Sequence, residues 1–218
     1  MQRKAEMERK TNETQIKVSL NVDGTGKARI KTPIGFLNHM LELFVFHGHF
    51  DLELSVTGDT HIDIHHTNED IGIVLGKTFK KALGEEKLGI KRFGSAFAPM
   101  EDTLGHSVVD ISGRGHHAFN CKPIYVDETK NPIMNKFDMS PTHASEDGYT
   151  LQDYDHFLES FAKQMGANII VTIQHGKVAD VHTVLETAFK SLGLALDQAT
   201  TIDPRREGQV PSTKGIID

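Results

Sequence analysis

An α+β fold built from two related ββαβα halves is what this sequence of 218 residues predicts, and three observations carry the prediction. Short runs with alternating apolar residues are interleaved with longer runs whose apolar residues recur every three or four positions, the periods of half-buried strands and amphipathic helices. The order of these runs occurs twice. The second occurrence also repeats individual residues at a constant offset of 117.

From Thr14 to Val22 the apolar residues Ile16, Val18, Leu20 and Val22 alternate, and Asp23-Gly24-Thr25-Gly26 turns the chain into Ala28 to Thr32, so a β-hairpin is expected there. Pro33 ends its second strand. Gly35 to His49 places Phe36, Met40, Leu43, Phe44 and His47 at helical spacing. A strand from Asp51 to Thr57 follows, then a Gly58-Asp59 turn and a helix from about His66 to Leu83, which Gly84 ends. The second half opens with strands near Gly94 to Pro99 and His106 to Ile111. It then crosses a polar stretch from about Lys122 to Gly148 and resumes with a helix from Leu151 to Met165, a strand from Ile169 to Gln174 and a helix from about Val181 to Leu196.

Sliding residues 36–76 onto 153–193 without gaps gives 9 identities in 41 positions, where composition predicts about two or three. His39 falls on His156, Leu41 on Leu158, Glu42 on Glu159, Phe44 on Phe161, Asp63 on Asp180, His65 on His182, Glu69 on Glu186 and Leu75-Gly76 on Leu192-Gly193. Two amphipathic segments matching by coincidence would share Leu and Ala before they shared two His and two Glu. The halves are therefore taken as residues 1–91 and 92–218. They form one pseudo-twofold unit in which each mostly antiparallel sheet carries helices on one face, with a long connection at about 122–148.

Lys+Arg 24 against Asp+Glu 30 gives a net charge of −6, which speaks against a general nucleic-acid binder. No apolar run has the length of a membrane span. The single cysteine, Cys121, has no internal disulfide partner, and the charged start Met-Gln-Arg-Lys-Ala-Glu lacks an apolar signal segment, so a cytoplasmic protein is expected. What stands out is 13 His beside 3 Tyr and no Trp.

His65 and Glu69 lie four residues apart, as do His182 and Glu186, so each pair shares a helix face. Each half adds a histidine 26 residues earlier, His39 and His156. Imidazole plus carboxylate suits Mn²⁺, Fe²⁺, Zn²⁺ or Co²⁺. His66 is a further donor. Adjacent helical residues point about 100° apart, so His65 and His66 are expected to serve two different ions, which points to a two-metal site. A single helical His is far more often hydrogen-bonded or exposed than a ligand, and the repetition is what outweighs that reading. His47, His49, His61, His106, His116, His117, His143 and His175 have no repeat partner and are read as ordinary histidines.

Cations beside turn residues occur at Lys91-Arg92-Phe93-Gly94, Ser112-Gly113-Arg114, Arg205-Arg206 and Pro211-Ser212-Thr213-Lys214-Gly215, combinations that can cradle a phosphate. No Walker A sequence and no G-x-G-x-x-G is present.

Arg9-Lys10-Thr11-Asn12-Glu13-Thr14, Phe36-Leu37-Asn38-His39-Met40-Leu41, Gly58-Asp59-Thr60-His61-Ile62-Asp63, His65-His66-Thr67-Asn68-Glu69-Asp70, Asp110-Ile111-Ser112-Gly113-Arg114, Asp203-Pro204-Arg205-Arg206 and Pro211-Ser212-Thr213-Lys214-Gly215 together resemble the imidazoleglycerol-phosphate dehydratases of histidine biosynthesis. The likeness runs in order along nearly the whole chain. It implies a duplicated fold like the second domain of ribosomal protein S5, two Mn²⁺ per chain, and a large cage-like homo-oligomer with sites between subunits. It implies metal ligation by His39, His65, His66, Glu69, His156, His182 and Glu186, acid–base work by Glu13, and phosphate binding by Arg92, Arg114, Lys190, Ser212 and Lys214. The implied reaction is loss of water from D-erythro-imidazoleglycerol phosphate to give imidazole-acetol phosphate, with two metals favouring an imidazolate that expels the hydroxyl through a diazafulvene-like intermediate.

Two positions depart from the family pattern next to the metal motifs. Thr183 stands where a second His-His pair is usual, so a hydroxyl replaces one ligand and the second metal site is expected to be weakened, and Ile64 stands where Asp-Asp is usual. They leave two alternatives: a weakened relative serving as a binding or assembly subunit, and a two-metal hydrolase on the same scaffold.

Overall fold

The structure is a computed structural model that describes residues 3–123, 145–175 and 180–217. Most of the long connection, including His143, lies outside the described residues. The first half runs β1 (Lys4–Lys10), β2 (Thr14–Asn21), β3 (Ala28–Lys31), α1 (Gly35–His47), β4 (Asp51–Gly58) and α2 (His65–Leu83). The second runs β5 (Phe93–Met100), β6 (Thr103–Asp110), β7 (His116–Pro123), the short strands β8 (Ser145–Glu146) and β9 (Tyr149–Thr150), α3 (Leu151–Met165), β10 (Asn168–His175) and α4 (Val181–Thr200).

The α+β class and the duplication hold, and the main sheet of each half carries one strand more than ββαβα, with the short β8–β9 pair added in the second half. The sheets have matching orders, β1-β2-β4-β3 and β5-β6-β10-β7. The repeat spacing is 89 residues at Thr14 and Thr103, and 117 at Asp51 and Asn168, because the long connection falls between β7 and α3.

One expected pairing is wrong. Thr14 to Val22 and Ala28 to Thr32 do not form a hairpin: β4 lies between them, antiparallel to β2 (Asn21↔Asp51) and parallel to β3 (Ala28↔Leu52). The loop with hairpin-turn residues is tied to β4 instead, since Asp51 Oδ1 accepts from the N–H groups of Thr25 (2.8 Å) and Lys27 (3.2 Å). β3, α1 and β4 thus form a parallel crossover. The true hairpin is β1 with β2. β1, Lys-Ala-Glu-Met-Glu-Arg-Lys, is too charged to announce itself by apolar alternation.

The four helices fill the space between the sheets. α2 packs on α3 and α1 on α4, so the two main helix contacts each join one half to the other. Residues related by the repeat mark the axis: Phe44 meets Phe161 edge-on at 6.2 Å. Flanking them, a Cβ added to Gly76 would lie 2.5 Å from the Phe161 carbonyl oxygen, and one added to Gly193 would lie 2.5 Å from that of Phe44. The Leu-Gly identity of the repeat therefore has a packing cause: only glycine lets the paired helices approach this closely.

Gly193→Ala is expected to lower stability by about 1–3 kcal/mol, read as a lower urea midpoint at unchanged slope. An unshifted midpoint would show that the α1–α4 contact yields at no cost.

Candidate active site

The crossed helix packing decides which donors meet. His39 on α1 reaches His182 and Glu186 on α4, and their ligand atoms lie within 4.8 Å of one another, the one such group of three among the described residues. Glu186 Oε1 accepts from His39 Nε2 (3.1 Å) and His182 Nε2 (3.0 Å), and Oε2 accepts from Lys190. Burial opposes the charge on Glu186, but hydrogen bonds from Lys190 and His39, the Lys190 charge and the His182 bond hold its pKa down to about 2. The carboxylate is therefore ionised at neutral pH.

The related residues gather in the same crossed way. His156 on α3 meets His65 on α2, Nδ1 to Nδ1 at 3.2 Å, and His65 Nε2 lies 3.5 Å from Glu69. His66 turns away, as the 100° argument expects. Its Nδ1 lies 3.2 Å from Asp59 Oδ2, and that bond, reinforced by the Glu13 charge, raises its pKa.

Glu13 occupies the β1–β2 turn. Its carbonyl accepts from Asp59 N–H (3.2 Å) and its own N–H donates to Thr11 Oγ1 (3.1 Å). The turn is bolted to α2 through buried Asp70, which accepts from Arg9 Nε (2.9 Å) and from Thr14 Oγ1 (2.5 Å). Arg9, Thr11, Thr14, Asp59 and Asp70 are legible in the sequence only as parts of motifs. Their work is to hold Glu13 beside His66.

The phosphate candidates divide into two places. Arg92, at φ 71°, bonds Asp110 through Nε (2.6 Å) and Nη2 (3.1 Å) and donates to the Pro211 carbonyl (3.1 Å). It thereby ties the end of β6, two residues before Ser112, to the segment holding Ser212 and Lys214. Ser112 Oγ accepts from the N–H of Arg114 (3.3 Å), and Ser212 Oγ from that of Lys214 (3.2 Å). A cleft of about 610 Å³ is lined by Lys91, Phe93, Asp203, Arg205, Arg206, Gln209 and Pro211, with Arg205 paired to Asp203 (2.8 Å). Lys190, by contrast, sits at Glu186 and near Met100 Sδ (3.8 Å). Arg92 precedes β5 and Met100 ends it, and its 8 residues separate the two places by roughly 25 Å.

Several histidines without repeat partners have ordinary uses: His47 bonds the Leu43 carbonyl (2.9 Å), His106 bonds Ser95 Oγ (2.8 Å), and His117 bonds Asp155 (3.1 Å).

This geometry can be set beside known proteins. Residues 32–196 match the family model described as imidazoleglycerol-phosphate dehydratase. The chain belongs to the imidazoleglycerol-phosphate dehydratase family. A relative of that name from Geobacillus kaustophilus is 46% identical over 217 residues and one from Bacillus subtilis is 44% identical over 215, with at least 99% of each chain covered. Among solved structures, the Pyrococcus furiosus enzyme in complex with (S)-C348 superposes with a TM-score of 0.74 at 32% identity, covering 96% of this chain and 99% of that one. The Staphylococcus aureus enzyme gives 0.72 at 28% identity, covering 92% and 99%.

Ile64 and Thr183 each have a local role. Ile64 packs against the core, as does its repeat partner Val181. Thr183 is buried, and its N–H donates to Asp180 Oδ1 (2.7 Å), closing the start of α4.

Asp70→Asn is expected to cost about 1–3 kcal/mol in urea unfolding, because it weakens a buried acceptor shared by Arg9 and Thr14. No loss would mean that the turn is held without it. The folded pKa of Glu186, about 2, lies below the ordinary 4.5, so its contribution is full above the ordinary value and fades as pH falls towards the folded one. In chelator-treated protein, the gap in urea midpoint between native and Glu186→Gln is expected to shrink between about pH 6 and about pH 3; a constant gap would contradict that linkage.

Proposed function

We propose that this member of the family dehydrates imidazoleglycerol phosphate in histidine biosynthesis at sites that combine two Mn²⁺ ions with residues from more than one subunit. The observation that carries the reading is the pair of crossed donor sets, His39/His182/Glu186 and His65/Glu69/His156, each drawn from both halves.

The residues fit the ion. Two imidazoles and one carboxylate form a borderline-to-hard donor set, and the donor atoms of the first set already converge on one point in space. Glu186 is ionised, so exchanging the protons it now accepts for a cation needs no new charge in the site. When bound, Mn²⁺ would act as a Lewis acid on the substrate imidazole, making it a better electron source for expelling the hydroxyl.

The C–H to be broken adjoins no carbonyl or imine, so the carbon chain needs a positioned proton acceptor. Glu13 suits that role, because its turn is fixed by Thr11, Thr14 and Asp70 and its charge faces His66. His66, its Nδ1 on Asp59, directs Nε2 outward as a donor. Arg92 braces the loop with Ser212 and Lys214, whose N–H and side-chain donors hold the phosphate with Arg114.

Assembly is part of the same reading. Arg92 and Lys190 stand at opposite ends of β5, so one small substrate cannot touch both within a single chain, whereas a neighbouring copy can bring the two ends together. The outer face of the second sheet exposes Phe93, Phe97, Val108 and Ile170, while the outer face of the first carries Glu6, Glu8, Lys17, Arg29, Lys31 and Glu53. An apolar band of this kind on one face marks a surface covered by another protein, and a second copy of this chain is the occupant proposed. No helix among the described residues is long and apolar enough to cross a membrane, and a cytoplasmic setting agrees with that.

The test is product formation from imidazoleglycerol phosphate, with Mn²⁺ content measured by elemental analysis. Glu13→Gln is expected to cut turnover about 10²- to 10⁴-fold with Mn²⁺ content unchanged. Chelation is expected to lower the sedimenting mass. Equal loss of metal in Glu13→Gln would make Glu13 a ligand or a structural residue, and turnover that survives complete chelation would remove the metal from the reaction.

A further inference from the structure

The two donor sets are related by the repeat, yet only one has a carboxylate behind its helix histidine. His182 presents Nε2 to Glu186, and its other nitrogen, Nδ1, lies 3.6 Å from Glu146 Oε1. Its counterpart His65 has both nitrogens taken up by His156 and Glu69. Glu146 belongs to the β8–β9 hairpin at the end of the long connection, which has no equivalent in the first half.

The placement is built into the packing. Asp147 (φ 49°) and Gly148 (φ 78°) make a tight turn with two left-handed residues, the kind that closes two-residue hairpins, and the register sets Glu146 opposite Tyr149. Tyr149 is fully buried and donates to Asn68 Oδ1 (2.9 Å) on α2. Thr150 then caps α3 reciprocally with Asp153. The Phe36 ring touches Tyr149 at 5.6 Å and His182 at 5.4 Å, so hairpin, Phe36 and imidazole form one packed unit.

We infer that Glu146 is a positioning residue for the His39/His182/Glu186 metal site: its carboxylate favours the proton on His182 Nδ1 and leaves the Nε2 lone pair aimed at the ion. This rests on the metal reading above and extends it to a residue outside the ligand set. An imidazole offers one nitrogen to a metal, and a carboxylate near the other fixes the tautomer, holds the ring and raises its basicity. His182 on α4, beside which Thr183 gives no imidazole, thereby gains a support that its repeat partner His65 lacks.

The experiment is Mn²⁺ titration of chelator-stripped full-length native protein and of Glu146→Gln, following free Mn²⁺ by its electron paramagnetic resonance signal, with thermal melting of the stripped forms as the structural control. Glu69→Gln serves to mark the other site. Native protein is expected to bind two ions per chain. Glu146→Gln is expected to weaken one of them about 10- to 100-fold, to leave the ion that Glu69→Gln weakens at native affinity, and to melt at the native temperature without metal. Unchanged binding of both ions in Glu146→Gln overturns the inference while leaving the metal reading intact. A lowered melting temperature of the stripped variant, with both affinities reduced alike, overturns it in favour of a purely structural hairpin. Native protein that binds no Mn²⁺ overturns the metal reading itself.

Discussion

Everything at the centre of this molecule depends on how closely two helix pairs can approach across the pseudo-twofold axis. Gly76 lets α2 lie against the Phe161 carbonyl of α3, and Gly193 lets α4 lie against the Phe44 carbonyl of α1. A Cβ there would lie 2.5 Å from a carbonyl oxygen and force the pair apart, and the donor sets one to three turns further along the same helices would open with them. Packed interiors do not absorb such changes smoothly. The geometry of the candidate donor sets is therefore a consequence of backbone contact rather than of the histidines alone.

The crossed pairing also gives the duplication a structural consequence. Had each half packed its own helices together, a donor set would depend on one half and tolerate slippage of the other. Here His39 needs α4 and His156 needs α2, so neither donor set forms unless both halves are docked. The charge arrangement follows the same logic. Glu186 is surrounded by Lys190, His39 and His182, which keep it ionised despite burial.

Around this shared frame the two halves have diverged where the ends of α2 and α4 begin. Asp63 and Asp180 are repeat partners, and both accept backbone N–H groups at a helix start, from His65 (2.9 Å) and Thr183 (2.7 Å) respectively. One position further on, Ile64 and Val181 both feed the core. Beyond them the halves part: His66 turns to Asp59 and the Glu13 turn, whereas Thr183 is buried beneath its cap and the β8–β9 hairpin occupies the adjoining space. The same helix start thus faces the Glu13 turn in one half and the β8–β9 hairpin in the other.

Fold class, the four helices, most strands and the candidate metal donors are legible in the amino-acid order alone, because periodicity and the 117-residue repeat are local or translational signals that survive without coordinates. Leu151–Met165 is legible to the residue, since Thr150 and Gly166 close both ends. Long-range packing settles what periodicity cannot encode. β1 and β7 exist because a neighbouring strand completes their hydrogen bonds, not because their own residues alternate cleanly. The Asp23–Gly26 loop reads as a hairpin turn, yet its turn residues are satisfied by Asp51, distant in sequence. The joining of His39 to the His182–Glu186 pair and of His156 to His65, the latch of Asp70 on Arg9 and Thr14, the separation of Lys190 from Arg92 and the approach of Glu146 to His182 all depend on residues far apart in the chain. Such relations are fixed by helix packing and sheet order, and a one-dimensional pattern carries no record of the distance across them.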